Sequence, residues 1–173
     1  MQVEQIYTRC LAQGAYYITS NGEAAIVDPL RETKTYIDKL QKDGVKLKYI
    51  FKTHFHADFV SGHLDLAKST GDSIVYGPNA KPEFAFISAK NNEVFKVGNI
   101  TIQALHTPGH TMESTTYLLK DENGKDYCIF SGDTLFLGDV GRPDLAQKAA
   151  SMTQDELAGL LKGCPFYFST ICE

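Results

Sequence analysis

The chain has 173 residues, of which 43% are hydrophobic and 22% are charged, and its formal net charge is −4 at pH 7. This composition is typical of a globular protein, and a domain of this length buries roughly two thirds of its unfolded surface. We therefore predict a single domain over residues 1–173. The acidic balance and the lack of a Lys/Arg cluster argue against nucleic acid as a partner.

The N-terminal residues contain neither a basic start nor an apolar run. They predict no signal peptide and no membrane anchor, and hence a cytoplasmic protein. The cysteines form no CxxC pair, which argues against a structural zinc site and against a disulfide framework. None has an obvious basic neighbour that would make it a reactive thiolate. We predict reduced thiols, mostly in the core, at Cys10, Cys128, Cys164 and Cys172.

Hydrophobic periodicity and turn residues predict strand pairs with helices between them. Asn21-Gly22 and Asn123-Gly124 supply the positive φ angles of tight turns and predict two hairpins. Gly44 and Gly71 are expected just beyond the ends of two helices. In chain order we predict strands over 15–20 and 23–28, a helix over 32–42, a strand over 48–53, a helix over 62–69, and strands over 73–76, 100–107, 116–119 and 127–131.

A last helix is predicted near the end of the chain. Thr153 and Glu156 have the spacing of a capping box, an apolar stripe of leucines follows, and Gly163 is expected to close the helix. Strand pairs alternating with helices indicate an α/β (α+β) fold with two sheets sandwiched between helices.

The strongest chemical signal follows the predicted strand over 48–53. His54, His56 and Asp58 alternate in a loop that leads into a helix, so the two imidazoles point the same way. Buried imidazoles and carboxylates need a hydrogen-bond partner or a cation. Taken alone, the segment is equally compatible with an exposed polar loop.

Two later loops offer the same residue types at strand ends. His110 follows the Pro108-Gly109 turn, and Asp133 follows the second hairpin. We predict that the three loops supply ligands to one metal centre. His106 lies within a predicted strand and is expected to be structural.

The segments HxHxD, TPGHT and SGDT, in this order, resemble the metallo-β-lactamase superfamily over nearly the whole chain. The resemblance implies an αββα sandwich and a metal-dependent enzyme. It also implies that Asp28, in the Asp28-Pro29 pair, supports the loops without binding the metal.

Phe59 departs from the superfamily pattern. Dinuclear zinc hydrolases of the superfamily read HxHxDH, where the aspartate and the last histidine hold a second metal. A phenyl ring has no lone pair to donate, so we predict a single metal. His63, one helical turn further on, is a less favoured replacement for the missing ligand.

Within the superfamily the chain most resembles the persulfide dioxygenases. That resemblance implies one Fe(II) bound by His54, His110 and Asp133, with His56 and Asp58 in supporting positions. Such a set leaves positions open for sulfur and dioxygen. The implied substrates are a low-molecular-weight thiol persulfide and dioxygen, and the products are the thiol and sulfite.

Two alternatives remain open. A zinc hydrolase would bind Zn(II) through His54, His56 and His110 to activate water, as in thioester hydrolases of the glyoxalase II kind. The chain could also be a metal-binding remnant without activity.

The segment 137–153 favours the dioxygenase, because it resembles bacterial persulfide dioxygenases, including those fused to rhodanese domains. The resemblance places Arg142 beside the substrate, where a guanidinium could hold a carboxylate, although a surface salt bridge is the alternative. No rhodanese domain follows, which suggests a separate rhodanese-type sulfurtransferase as a partner.

The last residues depart from the family, whose domain continues through further strands and a late histidine. We therefore expect a sandwich that is incomplete at the C-terminus. An open sheet edge and the apolar residues 166–168 would favour a homo-dimer.

Overall fold

The computed structural model describes residues 1–136, 138–142, 153, 155 and 156. Two α-helices are present within these ranges, α1 (Lys34–Asp43) and α2 (His63–Thr70), with short 3₁₀ turns at Arg9–Leu11 and Gly132–Thr134. The strands are β1 (Gln2–Thr8), β2 (Gln13–Ser20), β3 (Glu23–Val27), β4 (Lys46–Phe51), β5 (Ser73–Tyr76), β6 (Ile87–Ser88), β7 (Val94–Val97), β8 (Ile100–His106), β9 (Thr115–Lys120), β10 (Asp126–Phe130), β11 (Leu135–Phe136) and β12 (Asp139–Val140).

The strands form two main sheets. The first has the order β1-β2-β3-β4-β5-β6 and is antiparallel up to β3 and parallel from β3 onward. The second has the order β10-β9-β8-β7 and is antiparallel throughout. Parallel neighbours need a crossover connection, and α1 and α2 provide it for β3–β4 and β4–β5.

Two apolar layers hold the sheets and helices together. Phe51, Ile102 and Tyr117 belong to the core between the two sheets, to which both sheets contribute. Tyr36 and Leu66 belong to the core between the first sheet and its helices. This arrangement confirms the predicted α/β sandwich for the layers that the structure describes. The predicted last helix lies mostly outside the described residues, although Thr153 and Glu156 make the reciprocal hydrogen bonds of a capping box.

Most predicted elements have the expected type, and their bounds shift by at most two residues. Asn21 (φ 43°) and Gly22 (φ 79°) form the turn of the β2–β3 hairpin as predicted. The strands β1 and β7 were not predicted. The sequence of β1, QVEQIYT, breaks the alternation of polar and apolar residues, and β7 is only four residues long, so both give a weak periodicity signal.

The structure describes two of the four cysteines, and neither is a fully buried core residue as the sequence analysis expected. Cys10 is exposed and Cys128 is half-buried. Burial raises the pKa of Cys128 to about 11, which keeps this thiol protonated at neutral pH. Cys164 and Cys172 lie outside the described residues. No helix within the described ranges is both long and apolar enough to cross a bilayer.

Candidate metal centre

Three loops that follow β4, β8 and β10 converge at one end of the sandwich. They carry His54, His110 and Asp133, whose ligand atoms all lie within 4.8 Å of one another. Oδ2 of Asp133 is 3.8 Å from Nε2 of His54 and 3.6 Å from Nε2 of His110. The structure thus brings together the two histidines and the carboxylate that the sequence singled out.

The tautomer of His54 follows from its hydrogen bonds. The hydroxyl of Thr53 donates its only proton to Oδ2 of Asp28 over 2.6 Å. Its oxygen lies 3.0 Å from Nδ1 of His54 and must therefore accept the Nδ1 proton. This leaves the Nε2 lone pair directed at the cluster. Burial, with a contribution from His56, lowers the pKa of His54 to about 3, so the ring is neutral at pH 7.

His110 is oriented in the same manner by a main-chain group. Its Nδ1 lies 3.1 Å from the carbonyl oxygen of Arg142, which can only accept a hydrogen bond. Nδ1 therefore carries the proton and Nε2 faces Asp133. Metal-binding histidines generally donate their second ring N–H to such a partner.

Asp133 lies in the short 3₁₀ turn after β10 and remains about one third exposed. Burial raises the pKa of this carboxyl, and the nearby His110 and His56 counteract the effect. Gly141 packs so closely on this turn that a Cβ there would lie 1.7 Å from the carbonyl oxygen of Asp133. The segment 138–142 thus closes one side of the cluster through its main chain.

His56 packs beside His54, with ring centres 4.0 Å apart, but it is not among the residues whose ligand atoms form the cluster. Its Nε2 lies 3.1 Å from Oδ1 of Asp28, and its side chain is 4% exposed. Asp58 is exposed and is likewise absent from the cluster of ligand atoms. The supporting roles of His56 and Asp58 therefore stay a prediction, as does the three-histidine set of the zinc alternative.

The carboxylate of Asp28 contacts several residues of the segment that carries His54 and His56. Asp28 is 3% exposed, and its carboxylate accepts hydrogen bonds from the main-chain N–H and the hydroxyl of Thr53. Nζ of Lys52 lies 2.7 Å from Oδ1. Burial acts to raise the pKa of Asp28, but Lys52 and His56 hold it well below the usual range.

Sequence reasoning missed two residues that shape the site. Lys52 is a buried lysine at the end of an otherwise apolar strand. A lysine in such a position was the sequence feature that could have identified it. Glu113 is also buried, and its carboxylate accepts a hydrogen bond of 2.9 Å from the main-chain N–H of Phe55. This bond joins the His110 loop to the His54 loop. A single Glu in a polar loop gives no sequence signal for such a role.

The remaining histidines lie elsewhere. His106 places its Nε2 3.0 Å from the carbonyl oxygen of Met112, as suits a structural residue. His63 packs against the rings of Tyr76 and Phe84 at the start of α2. Neither belongs to the ligand cluster found among the described residues.

The donor set fits one transition-metal ion. The Nε2 atoms of two imidazoles point toward the same space, and a carboxylate oxygen of Asp133 lies within 4 Å of both. Two histidines and one carboxylate form the facial set that holds Fe(II) in non-haem oxygenases, and zinc also accepts these donors. His54, His110 and Asp133 are the residues that would hold the ion.

Gly132 is expected to be intolerant of substitution. Its φ is +52°, and a Cβ would lie 2.4 Å from Oγ1 of Thr53 and 3.2 Å from Nδ1 of His54. Gly132→Ala should therefore displace the hydroxyl that orients His54 and weaken metal binding by about 10–100-fold, the usual effect of losing an outer partner. Metal titration would check this, with Gly124→Ala, a positive-φ turn position with open space, as the control.

A cavity of about 290 Å³ opens beside the cluster. Its walls come from β1, β2 and the segment 129–136, and it reaches His56 and Asp133. Gln5 and Tyr16, which share a hydrogen bond of 3.2 Å, lie along one wall. A small molecule in this cavity would have one end at the ligand cluster.

Comparison with protein families gives a match over most of the chain. The family described as Metallo-beta-lactamase superfamily matches residues 8–163. The hydroxyacylglutathione hydrolase of Dictyostelium discoideum is 34% identical over 126 residues, which are 70% of this chain and 47% of that protein. The cytoplasmic hydroxyacylglutathione hydrolase of Arabidopsis thaliana is 33% identical over 138 residues, 77% of this chain and 53% of that protein. The chain spans about half the length of these curated relatives.

Solved structures show the same fold. A metallo-beta-lactamase from Staphylococcus aureus superposes with a TM-score of 0.82 at 34% identity, over 92% of this chain and 49% of that one. ETHE1 from Myxococcus xanthus superposes with a TM-score of 0.74 at 28% identity, over 83% of this chain and 62% of that one.

Proposed function

The chain belongs to the metallo-β-lactamase superfamily, and from this premise we propose that it uses one metal ion to act on a low-molecular-weight thiol derivative. Two classes within the superfamily have such substrates, thioesters for the glyoxalase II kind and persulfides for the dioxygenases. The ligand set favours the second class. We therefore propose a mononuclear iron persulfide dioxygenase.

The cluster of ligand atoms carries this proposal. The atoms that lie within 4.8 Å of one another belong to His54, His110 and Asp133, and His56, whose Nε2 contacts Asp28, is not among these residues. Ferrous iron bound by such a set keeps positions open for a sulfur ligand and for dioxygen. A mononuclear zinc hydrolase would instead draw on His56. Phe59 adds to the argument, because it cannot help to bind a second metal.

The proposed reaction balances without a further reductant. A persulfide RSSH reacts with O₂ and H₂O to give RSH, sulfite and two protons. The outer sulfur is oxidised by four electrons, dioxygen accepts those four electrons, and the S–S bond breaks. The residues of the chain hold the geometry, since Thr53 and the Arg142 carbonyl fix the two ring tautomers and the cavity positions the thiol carrier.

The curated relatives favour a second candidate. Those named as hydroxyacylglutathione hydrolases are up to 35% identical to this chain, and they support a thioester hydrolase more directly than a dioxygenase. In that case zinc would be the metal and water the second substrate. The site would then use Nδ1 of His56, which the contact between Nε2 and Asp28 leaves available.

One experiment distinguishes the two candidates. The chain is purified without oxygen, loaded separately with Fe(II) and Zn(II), and assayed for oxygen uptake with glutathione persulfide and for cleavage of S-lactoylglutathione. We expect the iron form to consume one O₂ per persulfide and to release sulfite. Thioester cleavage by the zinc form without oxygen uptake by the iron form would establish the hydrolase instead.

Arg142 provides a separate prediction about substrate binding. Its side chain is exposed, while its main-chain carbonyl orients His110. If the guanidinium binds a carboxylate of the thiol carrier, Arg142→Ala should raise KM about tenfold or more, because charge-assisted hydrogen bonds contribute about 1.5–3 kcal/mol. Metal content should not change, since the carbonyl remains. An unchanged KM would remove Arg142 from the substrate site, and Arg31→Ala, at another exposed arginine, is the control.

A further inference from the structure

A buried ammonium lies directly beneath the metal-binding loop. Lys52 follows β4 and is only 1% exposed. Its Nζ lies 2.7 Å from Oδ1 of Asp28 and 5.6 Å from the centre of the Phe59 ring. Lysine is rarely buried to this extent without a paired charge, and Asp28 provides that charge.

The groups around this ammonium are those that usually bind metals. The imidazole of His56 lies 3.1 Å from the same Asp28 carboxylate and packs on Phe59 with ring centres 4.4 Å apart. Burial lowers the pKa of Lys52, and Asp28 and then Asp58 oppose that shift, so both carboxylates lie within electrostatic range of Nζ. A cation thus already lies against the Asp28 carboxylate that the imidazole of His56 also contacts.

A second divalent ion near Phe59 would meet this positive charge. Like charges separated by about 6 Å in a protein interior repel strongly enough to weaken binding by at least about 100-fold. The phenyl ring of Phe59 explains why one ligand for a second metal is missing. It does not provide a positive charge to balance the nearby carboxylates. The ammonium of Lys52 provides that charge.

We propose that Lys52 is a specificity-determining residue that limits the chain to one metal ion by placing its charge beside residue 59, the loop position that would have to help bind a second ion. This inference rests on the proposed mononuclear centre, but it makes a statement about metal number and not about the reaction.

The test restores the missing ligand with and without the ammonium. Phe59→His alone should still bind one Zn²⁺ per chain, although it supplies an imidazole beside Asp58. Phe59→His combined with Lys52→Gln should bind two, with the second ion held at least about 100-fold more tightly than in Phe59→His. The amide of glutamine can still donate a hydrogen bond to Asp28, which limits the loss of stability. Zinc per chain is measured by elemental analysis and titration, and thermal melting confirms that each variant is folded.

Two matched controls separate charge at this position from charge in general. Phe59→His with Lys52→Arg keeps the positive charge and should bind one ion. Phe59→His with Lys48→Gln removes a half-exposed lysine from the same strand and should also bind one. If the glutamine double variant melts too low for titration, the rise of its melting temperature with added Zn²⁺ is compared with that of the arginine double variant. A larger rise in the glutamine variant supports the inference, and an equal rise overturns it.

The outcomes also separate this inference from the proposed function. Two tightly bound ions in Phe59→His alone would overturn the role of Lys52, as would a single ion in the folded glutamine double variant. Neither result would affect a wild-type chain that binds one metal and consumes oxygen. A wild-type chain without any bound metal would remove the proposed function and this inference with it.

Discussion

Asp133→Ala should abolish tight metal binding. Oδ2 of Asp133 lies within 4 Å of both bare Nε2 atoms and completes the ligand cluster. Loss of an outer-shell partner typically weakens binding by about 10–100-fold, so loss of a direct ligand should exceed about 100-fold. Metal per chain after dialysis measures the effect. His110→Ala should behave in the same way, and His106→Ala should keep its metal because that ring binds a main-chain carbonyl.

Asp139→Ala is the matched control for this substitution. Asp139 lies on the following short strand, is exposed, and its carboxylate accepts a hydrogen bond from the neighbouring Val140 N–H. Its loss should leave metal content unchanged. Full metal occupancy in Asp133→Ala would refute the set of two histidines and one carboxylate and would favour the three-histidine set of the zinc alternative.

Asp28→Asn should destabilise the fold far more than the loss of a surface charge. The substitution preserves shape and tolerates the φ of +48° at this position, but it removes the charge that balances Lys52. Removing one partner of a buried ion pair costs about 3–5 kcal/mol of unfolding free energy. Urea denaturation of the metal-free protein measures this cost without interference from ligand binding.

The matched surface substitution is Asp38→Asn. Asp38 forms an exposed ion pair with Lys34 one turn away on α1, and such helical pairs contribute only about 0.3–0.5 kcal/mol. A loss below about 1 kcal/mol in Asp28→Asn would contradict a charged and buried Lys52–Asp28 pair. It would indicate that Lys52 is neutral in the folded protein.

The sequence could predict that His54, His110 and Asp133 lie close together, because their positions depend on local pattern. His54, His110 and Asp133 each follow a strand whose periodicity is readable, so their convergence at one end of a sandwich could be expected. The directions in which the side chains point could not be predicted from the sequence. The contact of His56 with Asp28 depends on the positions of the Phe59 ring and of Lys52, which the local sequence pattern does not give.

The contributions of main-chain atoms to the site also could not be predicted from the sequence. Arg142 was singled out for its guanidinium, and the structure assigns a second role to its carbonyl oxygen, which orients His110. The close approach of Gly141 to Asp133 explains why a small residue lies there, but a glycine in a loop signals only a turn until its neighbour is known. Long-range contacts of this type follow from the fold and not from local propensity.

The most direct measurement is the metal content of His56→Ala beside that of His54→Ala, each saturated with Fe(II) without oxygen and then dialysed. His54 belongs to the converging ligand atoms and His56 does not. We predict one iron per chain in His56→Ala, as in the wild type, and none in His54→Ala. Loss of the metal from both variants would contradict a centre built from His54, His110 and Asp133.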